Sequence, residues 1–408
     1  MAGRRRVVGA LAGCALLLTG SAGCADRPSA ADSSASAAVR GTLDRRATAL
    51  LDRDRPAFLA TEAPAPGATG RTADASAEFD RLRDVPLASW SYRLTALHRA
   101  GDHATAEAEL SYRISGYDRA PITTGRALRL VRAQGRWYVA SDKPAKDADQ
   151  QLWEQGTVEV VRGAHSLVLG TGRPVDLLRA YARLADRAVP AVTGAWGSDW
   201  PERVVVLVPR SLDGMAGLLG SPASRYRGIA AVTTGETGAA GAAPADRITL
   251  NPDAYGVLSD VGRQVVLTHE TTHVATRAHT SAATPLWLSE GYADWVGYRD
   301  TGRTPSQVAP ELARSLAEGR MPAALPKDAD FSFSGDASTL AQAYEGGWMA
   351  CRLIADHWGT ARLADFYRAV GAQPKRAGAV EEALRTVLGT TPESFTRQWQ
   401  AYLRTRLG

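Results

Sequence analysis

Apolar residues recur at helical spacing over residues 41–59, and a polar Pro/Gly stretch then leads to a short helix around Phe79. Four segments follow that run apolar or alternate with polar neighbours, at 87–97, 103–114, 124–133 and 137–141. The last two are joined by Gln134-Gly135-Arg136, so they read as strands separated by turns. From about residue 150 the pattern becomes mixed, with a strand at 157–168, a helix at 174–192, a strand at 203–208, a short helix at 211–219, and strands at 228–233 and 247–251. The rest is helical. Ser259 and Asp260 offer N-caps for one helix, Thr284 followed by Pro285 for the next, and the Thr339/Gln342 capping-box pattern for a third that runs to about Gly359. Further helices are expected at 309–318, 360–370, 378–388 and 392–407, with a Pro/Asp/Ser-containing loop at 321–337. The fold class is therefore α+β. A module of helices and then strands comes first, then a part of mixed strands and helices, then a helical subdomain.

With 408 residues and 45% hydrophobic content, the chain can bury more than one core. Residues 1–23 read as a leader: Arg4-Arg5-Arg6 precede an apolar run at 7–18 that is too short to span a bilayer as an anchor. The small residues before Cys24 resemble a bacterial lipobox, which implies lipidation of Cys24 and attachment to the outer face of the cytoplasmic membrane. Cys14 follows a similar pattern, but cleavage there would leave too little hydrophobic region upstream. The paired arginines leave Sec and twin-arginine export both open. Residues 24–38, rich in Ser, Ala and Asp, read as a flexible tether. The folded part is expected at 39–148, 149–300 and 301–408. With Cys14 removed and Cys24 lipidated, Cys351 has no partner for an internal disulfide and reads as a small buried hydrophobe. The formal charge of +5 falls to about +2 once the three leader arginines are gone, so nucleic-acid binding is not indicated.

Candidate chemistry is concentrated in His269-Glu270-Thr271-Thr272-His273 and in Trp287-Leu288-Ser289-Glu290-Gly291-Tyr292-Ala293-Asp294. Positions i and i+4 share one face of a helix, so His269 and His273 can aim at one tetrahedral ion. Glu270 can then take a proton from a water that the ion has acidified to a pKa of about 7. Glu290, on the next helix, can supply a third ligand. Asp294, one turn later, reads either as the acceptor for a ligand histidine's N–H or as a solvated helix charge. Tyr344, near the positive end of its helix, can donate to a developing oxyanion. Gly346 and Gly347 weaken that helix, which points to a backbone or a substrate passing close by. His279 and His357 lack ligand spacing, and Phe395 and Trp399 read as core.

These motifs resemble the gluzincin metallopeptidases, whose ligands are the two histidines of H-E-x-x-H and a glutamate on the following helix. Trp287 to Ala293 is similar to the W-L-x-E-G-x-A signature of aminopeptidase N-type, peptidase MA-like enzymes. Tyr344-Glu345-Gly346-Gly347 stands where they carry Y-E-K-G, whose tyrosine assists the oxyanion. The resemblance covers roughly residues 155–405. It implies one Zn2+ per chain held by His269, His273 and Glu290, with Glu270 as general base, a protein or peptide substrate, and a zincin-like catalytic domain. It also implies that an edge strand, here 229–233, pairs with extended substrate, with the Gly/Ala-rich segment 235–245 as a mobile flap. The G-x-M-E-N motif that binds the free amine in aminopeptidases is absent, which favours an endopeptidase over an aminopeptidase. A zinc-binding or envelope-assembly lipoprotein without proteolysis is the other alternative. The elements at 39–148 resemble the nuclear-transport-factor-2-like fold, here with a structural or interaction role. Oligomeric state is not readable.

Overall fold

The computed structural model describes residues 30–63, 71–234, 245–333 and 335–408. Cys24, the expected leader, residues 24–29 of the tether and residues 235–244 of the flap lie outside the described residues. Helix α1 (Ala30–Leu51) begins well before residue 41, so residues 30–38, expected as tether, are helical. Composition could not report the cause: Ala35 and Val39 on this stretch bury against the first sheet. Helices α2 (Arg55–Leu59) and α3 (Arg71–Leu82) precede strands β1 (Leu87–Ala100), β2 (His103–Ile114), β3 (Ile122–Ala133) and β4 (Arg136–Pro144). These four form an antiparallel meander in sequence order. Alternation sends Ala104, Ala106, Ala108, Leu110, Tyr112 and Ile114 of β2 inward. Extra residues at Thr95 and Ala140 interrupt the register and bend the sheet around α1. Gln134 and Gly135, with φ of 49° and 78°, make the tight β3–β4 turn.

The second sheet holds β5 (Val158–Arg162), β6 (Ser166–Thr171), β7 (Val204–Val208), β8 (Ala231–Thr234) and β9 (Arg247–Leu250), in the order β5-β6-β7-β9-β8. The segment expected as one strand at 157–168 is a hairpin. Asp186, on helix α4 (Val175–Trp196), holds its turn by accepting the N–H groups of Ala164 and His165, both at 2.9 Å, and the Ser166 hydroxyl at 2.8 Å. Helix α4 also continues past residue 192 and contains Pro190. Strand β8 lies at the edge of the sheet, as expected for that segment, but it begins at Ala231, and it pairs antiparallel with β9.

Both faces of this sheet are covered. Val168, Val204, Val206, Val208, Ile248 and Leu250 pack with α4 and with Leu267 of the following helix pair. Val158, Leu167, Leu169 and Val205 pack with Phe58, Trp90, Leu110 and Tyr112 of the N-terminal module. Arg247 of β9 donates two hydrogen bonds of 2.7 Å to Asp118 of the β2–β3 loop, a buried ion pair that ties the module to the sheet.

Helices α5 (Leu212–Leu218), α6 (Pro252–Gly256), α7 (Asp260–Thr276) and α8 (Leu286–Tyr298) complete this part. They are followed by α9 (Pro305–Val308), α10 (Pro310–Ala317), α11 (Ala337–Trp358), α12 (Thr360–Gly371), α13 (Ala379–Val387) and α14 (Pro392–Leu407). One apolar core runs through the sheet's α4 face and these helices, and it includes Phe395, Trp399 and Cys351. No helix among the described residues is long and apolar enough to cross a membrane.

Candidate metal centre

The hydroxyl of Ser259 caps α7 by accepting the N–H of Gly262 at 3.2 Å, and the helix then carries His269 and His273 one turn apart. Their Nε2 atoms are 3.0 Å apart. Helix α8 brings in Glu290, whose Oε2 lies 3.3 Å from His269 Nε2 and 3.5 Å from His273 Nε2. Pro285, expected at the first helical position, is itself the N-cap of α8 with extended backbone. Thr284, expected as the cap, instead accepts the N–H of Ser281 at 3.2 Å. A zinc ion with bonds of about 2.0–2.2 Å in tetrahedral geometry sets its donors about 3.3–3.6 Å apart. Two nitrogens and one oxygen at 3.3 and 3.5 Å, with the nitrogens closer together at 3.0 Å, approximate that spacing and supply three of the four donors.

Around the triangle, each neighbouring group has a definite place. Asp294 Oδ1 lies 2.8 Å from His269 Nδ1, the contact expected of a partner to a ligand histidine, and His269 Nε2 faces His273 and Glu290. Glu290 is half-buried, and its desolvation alone would raise its pKa, but His273 and His269 outweigh this and hold the carboxylate well below its ordinary range. Burial alone would depress His269, and Asp294 and Glu290 reverse that, so an extra positive charge is favoured here. Glu270 is buried, and its Oε2 accepts the hydroxyl hydrogen of Thr233 at 2.6 Å.

Glycines set the spacing of the helices that carry these groups. A Cβ at Gly291 would stand 2.3 Å from the carbonyl carbon of Gly347, and one at Gly347 would stand 2.6 Å from the Trp287 carbonyl oxygen. Helices α8 and α11 therefore cross backbone to backbone, which answers for Gly347: the close neighbour is another helix. Gly346 faces side chains, Pro326 and Trp399. Asp336, and not the Thr339/Gln342 pair, caps α11, accepting the Thr339 N–H at 2.8 Å. Tyr344 sits half-buried on this helix, edge-on to Phe331 with ring centroids 5.1 Å apart. Burial, then the carboxylates of Glu290, Asp294 and Glu270, push its phenol pKa upward, so it stays a proton donor. Tyr344 and Asp294 share a cleft of about 370 Å³ between α8, α9 and α11.

Three contacts escaped sequence reading. Thr233 and Glu270 are 37 residues apart. Glu345 accepts the N–H groups of Glu311 at 3.2 Å and Leu312 at 2.6 Å, capping α10 from another helix. Phe331 reaches Tyr344 from a loop. Only Thr233 had a signal, its place on the expected edge strand. His279 packs on Trp196 and lies 3.3 Å from Asp199, while His357 is exposed, so neither joins the centre.

No family model matches the chain, and no curated protein matches it. Among solved structures it is similar to a variant of a two-domain M1 zinc metallopeptidase bound to L-arginine, at 13% identity and a TM-score of 0.34. The match covers 75% of this chain and 61% of that one.

Proposed function

We propose that the chain is a zinc-dependent metallopeptidase that acts as an endopeptidase outside the cytoplasmic membrane, tethered by lipid on Cys24. The observation that carries this reading is the triangle of His269, His273 and Glu290 with Glu270 on the same helix turn and Tyr344 on the helix that crosses at Gly291. When bound, zinc supplies a Lewis acid and acidifies water to a pKa of about 7. His269 and His273 would hold the ion through Nε2 and Glu290 through a carboxylate oxygen. Asp294 holds the His269 tautomer. Glu270 takes the proton from the attacking water and passes it to the leaving amine. Tyr344 donates to the oxygen of the scissile carbonyl as charge develops on it. The absent G-x-M-E-N motif and the edge position of β8 among the described strands favour internal cleavage of extended chains.

The test is zinc content of protein beginning at Ala30, wild type beside His273→Ala, with a chelator-sensitive digest of blocked peptides and Glu270→Gln as control. One zinc per chain, lost in His273→Ala, with cleavage abolished in Glu270→Gln, is expected. Stoichiometric zinc without cleavage refutes the peptidase, and wild-type protein that takes up no zinc refutes the centre.

A further inference from the structure

Strand β8 reaches the centre through one side chain. In the β8–β9 register Thr233 stands opposite Ile248, and Ala231, two residues earlier on the same face, is buried in the core that includes Leu267 of α7. Thr233 therefore points at α7. Its Oγ1 lies 2.6 Å from Glu270 Oε2 and 3.1 Å from the Glu270 backbone carbonyl oxygen. A hydroxyl has one proton to give, and the shorter, charge-assisted bond to the carboxylate takes it. Glu270 has no other side-chain hydrogen-bond donor among the described residues, and it is 7% exposed. Without Thr233 its carboxylate could rotate about its terminal torsion, which is soft.

We propose that Thr233 is a positioning residue for Glu270. Its hydroxyl holds Oε2 and so presents Oε1 to the open side of the His269–His273–Glu290 triangle. Because β8 is the edge of its sheet, the strand expected to line up an extended substrate also orients the general base. An oxygen already accepting a hydrogen bond is the poorer proton acceptor, so the division of labour between the two oxygens is fixed before substrate arrives. This inference rests on the peptidase reading for its kinetic consequence, whereas the Thr233–Glu270 bond stands without it.

The experiment compares wild type, Thr233→Val, Thr233→Ser and Glu270→Gln in zinc-loaded protein, measuring kcat, KM and zinc content. A metal-free thermal melt of wild type, Thr233→Val, Glu270→Ala and the double variant runs beside it. Valine keeps the shape and β-branching of threonine and removes the donor. Expected is a kcat loss of about 10- to 100-fold in Thr233→Val, with KM and zinc content unchanged and most activity recovered in Thr233→Ser. In the melts, Thr233→Val lowers Tm in the native background and has no further effect beside Glu270→Ala. A wild-type kcat in Thr233→Val, or a change confined to KM, overturns the positioning role. If wild-type protein cleaves nothing, the peptidase reading fails alone, and the melts still decide: additive Tm losses would overturn the Thr233–Glu270 bond.

Discussion

The crossing of α8 and α11 gives the sharpest test of how the fold holds the centre. In Gly291→Ala the new methyl would meet the Gly347 carbonyl carbon at 2.3 Å, its oxygen at 2.4 Å and the Trp348 nitrogen at 2.9 Å, all backbone atoms that no rotamer change can move. Ordinary contact begins at 3.4 Å, so the helices must separate by about 1 Å. Overpacking of this kind costs about 1–3 kcal/mol, and the gain in helix propensity of Ala over Gly returns at most about 1 kcal/mol. Residue 291 adjoins Glu290, so the same shift displaces Oε2 from its present 3.3 and 3.5 Å to the two histidines. A displacement of about 1 Å at such a site is expected to weaken zinc about 10- to 100-fold. The assays are thermal melting in chelator and zinc affinity by competition with a chromophoric chelator. Gly194→Ala is the control: that glycine lies in α4 with nothing within 4 Å of the added methyl, so it should be neutral or slightly stabilising with unchanged zinc affinity. Wild-type Tm and zinc affinity in Gly291→Ala would refute the claim that this contact sets the position of Glu290.

Asp294→Asn keeps an acceptor beside His269 Nδ1 but removes its charge, and should weaken zinc about 10-fold or more by the same competition assay. Asp118→Ala strands the buried Arg247 cation and should cost about 3–5 kcal/mol in urea unfolding, whereas Asp118→Leu with Arg247→Met should recover much of that; equal losses in the two proteins would contradict the ion-pair account. Burial raises the Glu345 pKa from 4.5 to about 7 against the two backbone N–H groups it accepts. The folded state then binds that proton more tightly than the unfolded chain. Its contribution is fully present below about pH 4.5 and is lost as pH rises to about 7, by at most about 3 kcal/mol, and Glu345→Gln should flatten this slope in unfolding curves taken from pH 5 to 8.

Features that depend on neighbours in sequence were legible. His269 and His273 are one helical turn apart whatever the rest of the chain does, and Glu290 and Asp294 repeat that spacing on the next helix, so their approach needed only that the two helices pack. The β3–β4 turn and the α14 boundaries follow from local chemistry in the same way. The errors fall where a distant residue decides. Asp186 breaks the segment 157–168 into a hairpin from about three turns into α4, and nothing near residue 164 announces it. Capping of α11 passed to Asp336 because a carboxylate three residues before Thr339 competes for the same N–H, and a pattern match cannot rank the two. Gly347 signalled a close approach, but which partner approached required the crossing angle that its pairing with Gly291 allows.

The β6 strand shows how the two halves of the molecule depend on each other. Every residue from Ser166 to Thr171 is buried, the mark of a strand with no solvent face. Val168 finds α4 on one side, but Leu167 and Leu169 on the other find Trp90, Tyr112 and Trp153 only because the N-terminal module lies there. The module thus covers the reverse face of the sheet whose far edge, β8, touches Glu270. Arg247 lies on β9 beside that edge, paired across from Thr234, and its bond to Asp118 anchors the module one residue from Thr233. Strain at the module's β2–β3 loop therefore has a short physical route to Glu270, through one ion pair, one strand register and one hydroxyl.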